Sequence, residues 1–207
     1  MRGKKLKISK PKKNTYAIVV DGETEVWYFQ MLKRNEPSLQ VNIEPKIPQK
    51  KKLSDQYDKV CELSEDYTKV FWVIDLDVVI AESKSIELKK YLEEFEKEKF
   101  KNVITIFNNP CLEFWFLLHF IQTTKYFPKC KEAEKQLKKQ KEFKDYQKTK
   151  KYFTKQDNDI YLKLKSRLLT ALKNTKRTKR RNPEEIEQGI CEMNLFFETE
   201  QIKSILD

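Results

Sequence analysis

The residues best suited to chemistry in this chain are acids that punctuate apolar runs. Asp21, Glu23 and Glu25 follow "TYAIVV" around Gly22, Asp75 and Asp77 end "KVFWVIDLD", and Glu113 stands inside "NNPCLEFWFLLHF". Carboxylates at i and i+2 of a strand point to the same face, where they repel unless a cation lies between them. Hard oxygen donors suit Mg²⁺ or Mn²⁺, held by one or two carboxylates with water and substrate phosphate. Each cluster also has a purely structural reading. Asp-x-Asp pairs occur at strand ends by chance, and acids in "DGETE" suit the first turn of a helix with Thr24 as N-cap. For Glu113 the spacing predicts Asn109 as N-cap and Pro110 at the first helical position. Phe116, Leu117 and Phe120 then share its face. A carboxylate on that face needs a partner. It is either bonded to loop amides or an Arg, or it supports a cation from an outer position.

The remaining candidates for chemistry are few. His119, the single histidine, lies on an apolar helix and reads as a satisfied core or boundary residue. Cys61, Cys111, Cys130 and Cys191 show no CxxC spacing, which fits free thiols in a reducing compartment better than a disulfide or zinc framework.

The acids need elements to position them. β-branched, apolar stretches at 15–22, 39–47, 69–77 and 102–107 predict four strands, with Pro45 placing the second at an edge or ending it early. Helical spacing over 23–35, 53–66 and 85–100 separates them, the last with Ile86, Leu88, Leu92 and Phe95 apolar. Such alternation predicts right-handed βαβ crossovers, a mainly parallel sheet and an α/β fold. In these sheets the active crevice lies outside the carboxyl ends of the strands, so Asp21, Asp75, Asp77 and Asn108–Asn109 fall on one rim. After residue 121 the pattern turns helical. "CKEAEKQLKKQKEF" and "DIYLKLKSRLLTALKNTKR" are the clearest helices, and another is predicted after Pro183.

Charge divides the 207 residues unevenly. Residues 1–13 carry seven cations and no acid, residues 14–121 carry 14 Lys/Arg against 19 Asp/Glu, residues 122–181 carry 21 against 6, and residues 182–207 carry 1 against 7. The expected organisation is a basic arm over 1–13, an α/β core over 14–121, and a helical extension over 122–207, basic to 181 and acidic beyond. A polyanion would be gripped by the basic parts and presented to the acidic rim. Lys-rich helix faces are also simply well solvated, and the charge alone does not separate the two. No apolar run approaches the roughly 20 residues of a membrane span, and no h-region follows the basic start, so a cytoplasmic protein is expected.

Three stretches resemble the RloB-like proteins of bacterial defence loci, a branch of the TOPRIM-fold superfamily. "VVDGETEVWYF" resembles the family's strand-one segment, "FWVIDLD" its Asp-x-Asp strand, and "NNPCLEFWFLLHF" its Asn-Pro-Cys-x-Glu-x-Trp signature. A weaker likeness runs through "FTKQDNDIYLKLKSRLLTALKNTK". The resemblance implies a four-stranded parallel TOPRIM-like core with a helical addition. It further implies Mg²⁺ (or Mn²⁺) held by Asp21, Glu25, Asp75 and Asp77, with Asp21 and Glu25 also catalytic. Asp21 departs from the usual Glu and is one methylene shorter. Lys155 lies near the family's Tyr-x-Lys position, with Phe153 in place of the Tyr, and would contact the scissile phosphate. By analogy within the family, the chain would act in anti-phage defence beside an ATPase partner.

The leading expectation is therefore a metal-dependent nuclease acting on DNA or RNA such as tRNA, with Glu113 outside the first ligands. Lys138, Lys139, Lys141, Lys150, Lys151, Lys176, Arg177 and Arg180 would bind the nucleic-acid backbone. A homo-oligomer is compatible with this. The alternative is a nucleic-acid-binding sensor or interaction subunit whose acidic rim is structural.

Overall fold

The computed structural model describes residues 15–47, 49–178 and 188–206. The basic arm, Arg180 and the predicted helix start after Pro183 lie outside the described residues. The first half alternates as the hydrophobic pattern requires: β1 (Tyr16–Val19), α1 (Glu23–Asn35), β2 (Val41–Glu44), α2 (Leu53–Asp66) and β3 (Lys69–Asp75). It continues through α3 (Leu76–Ala81), α4 (Ser85–Phe95), β4 (Val103–Asn109) and α5 (Leu112–Leu118).

The sheet has five strands in the order β2-β1-β3-β4-β5, where β5 is Ile190–Cys191. The first four are parallel, and β5 pairs antiparallel to β4. Beyond α5 the chain is built of short helices: α6 (Cys130–Leu137), α7 (Lys150–Phe153), α8 (Ile160–Lys165), α9 (Leu168–Thr175), α10 (Asn194–Phe197) and α11 (Glu200–Lys203).

Alternation along the strands explains the three layers. Ile18, Phe71 and Val73 pack with Phe29 of α1, Trp115 of α5 and Phe196 of α10. Val19, Trp72 and Ile74 face the other way, onto Val60, Leu63, Leu88 and Leu92 of α2 and α4. The Trp72 indole N–H finds Gln56 Oε1 at 2.8 Å, so the large ring is buried without an orphan donor. From β1 the chain crosses to β2 on one side, then returns over β1 to β3 on the other. That reversal places the topological switch point between the carboxyl ends of β1 and β3.

Several expectations change. Asp77 is not on the strand: β3 ends at Asp75, and Asp77 sits in the first turn of α3. The shared-strand-face argument for the pair therefore fails, and they meet through the strand–helix turn instead. α1 is capped by Gly22, not Thr24. Asn109 and Pro110 are not the cap and first residue of α5, because β4 runs on to Asn109 and Cys111 is the N-cap. Ile86 is 74% exposed, since α4 turns only Leu88 and Leu92 fully onto the sheet. The two long helices predicted after residue 121 are broken, at Leu137 and between Lys165 and Leu168, and the described part of the helix predicted after Pro183 is instead β5, α10 and α11. The extension also joins the core: β5 extends the sheet, and Phe196 contacts Phe71 and Phe29.

Candidate functional site

Five carboxylates meet at the switch point. Asp21 follows β1, and its carbonyl accepts the Lys51 amide at 2.8 Å. Glu25 is buried in the first turn of α1. A Cβ on Gly22 would lie 2.6 Å from Glu25 Oε2, so the missing side chain is what lets that carboxylate fold back over the turn. The Gly22 backbone is ordinary extended chain, so space, not φ, is the requirement.

Asp75 pairs in register with Asn108 on β4, and its Oδ2 accepts the Leu112 amide at 3.1 Å. Cys111 supplies no side-chain cap, so Asp75 satisfies the buried first amide of α5 from a neighbouring strand. Asp77 does the same for α6, accepting the Cys130 amide at 3.1 Å. Both acids thus have a structural task of their own.

Glu113 is fully buried. Its Oε1 accepts from the Tyr146 hydroxyl at 2.6 Å and pairs with Lys148 Nζ at 2.8 Å. Its Oε2 faces Cys130 Sγ at 2.9 Å. Cys130 is bonded to Cys111, with their Cα atoms 5.5 Å apart. This overturns the expectation of unpaired cysteines. Cys130 follows Cys111 by 19 positions, and the segment between them contains the turn that folds α6 against α5, a juxtaposition that cysteine spacing does not reveal.

The electrostatics follow from crowding. Burial, then repulsion from Asp77 and Glu82, pushes Asp21 up to about 6. Burial followed by Asp21 and Glu113 raises Glu25, and burial followed by Glu25, Asp21, Glu113 and Asp77 raises Asp75. Asp77 is raised by burial and by Glu113, against the Cys130 amide and Lys148. Lys148 resists its own desolvation because Glu113, Glu25 and Asp75 surround it, and its pKa rises. Five acids opposed by this ammonium carry a large excess of negative charge, which protons or a cation must relieve. Asn108 Oδ1 is buried beside Asp75 with no partner, a further oxygen at the same place. These acids offer only hard oxygens, the donor type that Mg²⁺ or Mn²⁺ takes, while no three of Asp21, Glu25, Asp75 and Asp77 bring carboxylate oxygens within 4.8 Å of one another.

Lys155 is not brought to this cluster. Its carbonyl accepts from Arg34 near the end of α1, and Arg34 is nine residues, about 14 Å of helix, beyond Glu25. Lys148 stands at the acids instead. Its sequence context, one Lys among many between 122 and 181, carries no distinguishing signal, and the same holds for Tyr146. The seven described basic residues are exposed but lie on separate elements: Lys138, Lys139 and Lys141 after α6, Lys150 and Lys151 on α7, Lys176 and Arg177 after α9. Lys138 pairs with Glu134, Lys176 pairs with Glu198, and Arg177 bonds Gln122. His119 is buried with Nδ1 2.9 Å from the Trp115 carbonyl, and burial pushes its pKa down to about 3. Among the described residues no helix is long and apolar enough to cross a membrane.

The family model described as RloB-like protein matches residues 16–199. No curated protein and no solved structure matches the chain.

Proposed function

The chain belongs to the RloB-like family, and from that premise we propose that it is a TOPRIM-type, Mg²⁺- or Mn²⁺-dependent nuclease. The observation that carries the reading is the crowding of Asp21, Glu25, Asp75 and Asp77 at the switch point, Glu25 and Asp75 buried and the other two half-buried, with raised carboxyl pKa values that mark an unmet demand for positive charge. When bound there, the ion supplies Lewis-acid polarisation of a phosphate and activation of a water. The chain's own residues supply the rest. Asp75 and Asp77 are held in place by the α5 and α6 amides they accept. Gly22 clears the space for Glu25. Lys148, anchored on Glu113, directs an ammonium at the rim where phosphate charge would lie. Lys150 and Lys151 follow on the adjoining helix and suit backbone contacts. The substrate would be DNA or RNA, including tRNA, and the setting anti-phage defence with an ATPase partner.

A second reading rests on the same two amide bonds. If Asp75 and Asp77 serve only to start α5 and α6, the chain is a nucleic-acid-binding sensor or interaction subunit. Incubating the purified protein with plasmid, oligonucleotides and bulk tRNA, in Mn²⁺ and in EDTA, decides between them. Cleavage that EDTA and Asp75→Asn both abolish supports the nuclease. Binding without cleavage under any metal supports the sensor.

A further inference from the structure

Glu113 is fully buried, and the hydrogen bonds to its two oxygens are unequal. Oε1 has the Tyr146 hydroxyl and the Lys148 ammonium, at 2.6 and 2.8 Å. Oε2 faces Cys130 Sγ at 2.9 Å, and in a disulfide that sulfur has no proton to give. A buried carboxylate oxygen without a donor is an expensive arrangement. The same oxygen is aimed at two sulfurs, and the three donor atoms of Cys111, Glu113 and Cys130 all lie within 4.8 Å of one another.

We infer that the reduced pair, with Glu113 Oε2, is a binding site for a thiophilic divalent cation, Zn²⁺ by chemical class, distinct from the hard-oxygen rim. A tetrahedral zinc centre takes Zn–S of about 2.3 Å and Zn–O of about 2.0–2.2 Å, which spaces neighbouring donors about 3.5–3.8 Å apart. With the Cα atoms 5.5 Å apart, the two sulfurs freed by opening the S–S bond need only side-chain rotation to approach that spacing. Tyr146 and Lys148 hold Oε1, which fixes the carboxylate and leaves Oε2 as the ligand atom, the kind of outer support that orients metal ligands. The Lys148 ammonium lies 3.2 Å from Cys130 Sγ and offsets thiolate charge. Cys130 is partly exposed, which leaves the fourth position to solvent. Sulfur donors select against Mg²⁺, so the two sites take different ions.

The site is also gated by oxidation. A peroxide oxidant takes two electrons from the paired thiolates: the S–S bond forms as the O–O bond breaks, two protons complete two waters, and the ion leaves. A dithiol reductant reverses the disulfide by exchange and becomes a disulfide itself.

The test uses the full chain, reduced with a dithiol, stripped with a chelator and desalted, then titrated with Co²⁺ as a spectroscopic stand-in and Zn²⁺ as competitor. The expected result is thiolate-to-Co²⁺ charge-transfer absorption that saturates at a single ion per chain. Zn²⁺ reverses it, and excess Mg²⁺ does not. Peptide mass spectrometry should show Cys111 and Cys130 protected from alkylation by Zn²⁺, and Cys61 not. Cys111→Ser and Cys130→Ser should each remove the absorption band, and Glu113→Gln, which takes away a direct ligand, should weaken ion binding by more than the about 10–100-fold typical of losing an outer support. Where a variant fails to fold, the alkylation pattern of the unaltered chain decides alone. Equal alkylation of Cys111 and Cys130 with and without Zn²⁺ overturns the inference, and reduces Cys130 to a thiol donor for Glu113. So does Co²⁺ binding that survives in both serine variants, which would place the ion on the acidic rim.

Discussion

Lys148→Met isolates the contact that the tertiary structure adds to the acidic rim. Methionine keeps most of the stem and removes the ammonium, leaving Glu113 buried with Tyr146 as its partner at Oε1. Breaking a fully buried ion pair from one side typically costs about 3–5 kcal/mol. Lys148 is 39% exposed while Glu113 is 1% exposed, so water screens one end of this pair. Discounting for that screening leaves about 1–3 kcal/mol. For a chain of this size that corresponds to a melting midpoint lower by about 2–12 °C. The assay is thermal melting in EDTA of the parent, Lys148→Met, Glu113→Gln and the double variant. Glutamine removes the charge that needs the ammonium, so the lysine substitution should cost much less in that background. Lys155→Met, on an exposed residue away from the acids, should stay within about 0.5 kcal/mol of the parent. Additive losses from Lys148→Met and Glu113→Gln, or no loss from Lys148→Met, would refute the pairing.

Asp75→Asn and Asp77→Asn each keep an acceptor for the helix amides at Leu112 and Cys130, so the apo protein should melt no lower than the parent, while metal-dependent cleavage falls by more than the about 10–100-fold typical of losing an outer contact; cleavage at parental levels would remove both from the metal site. Gly22→Ala places a methyl 2.6 Å from Glu25 Oε2, and calorimetry should show weaker Mn²⁺ binding with near-parental melting; unchanged affinity would take Glu25 out of the ligand set. Asp21 binds its proton more tightly folded than unfolded, so its contribution is fully present below the unfolded pKa of about 3.9 and is lost as pH rises through about 6. Melting in EDTA should therefore decline over that window less for Asp21→Asn than for the parent, and identical pH profiles would contradict the shift. Replacing Lys150 and Lys151 should weaken nucleic-acid binding without sequence preference and flatten its salt dependence by roughly one phosphate contact per residue; an unchanged salt slope in filter binding would make α7 a solvated face only.

The strands and the positions of their ends are legible in the local residue pattern. Runs such as "TYAIVV" and "KVFWVI" are too apolar and β-branched to be anything but buried strands between helices, and the parallel topology then forces their carboxyl ends onto one rim. Asp21, Glu25 and Asp75 inherit their place from that local pattern. Asp77 reached the same rim by another route, since β3 ended at Asp75, two residues earlier than its apolar run suggested, and the chain turned into α3. The remaining features join residues far apart in the chain. β5 is two residues long, too short for periodicity to register, and exists because it pairs with the end of β4. Tyr146 and Lys148 are 33 and 35 residues from Glu113, and Cys130 is 19 from Cys111. No local spacing predicts such partners. They are chosen when α6 and the loop before α7 fold over the start of α5, because a carboxylate buried there must be met by whatever donors that packing brings within reach.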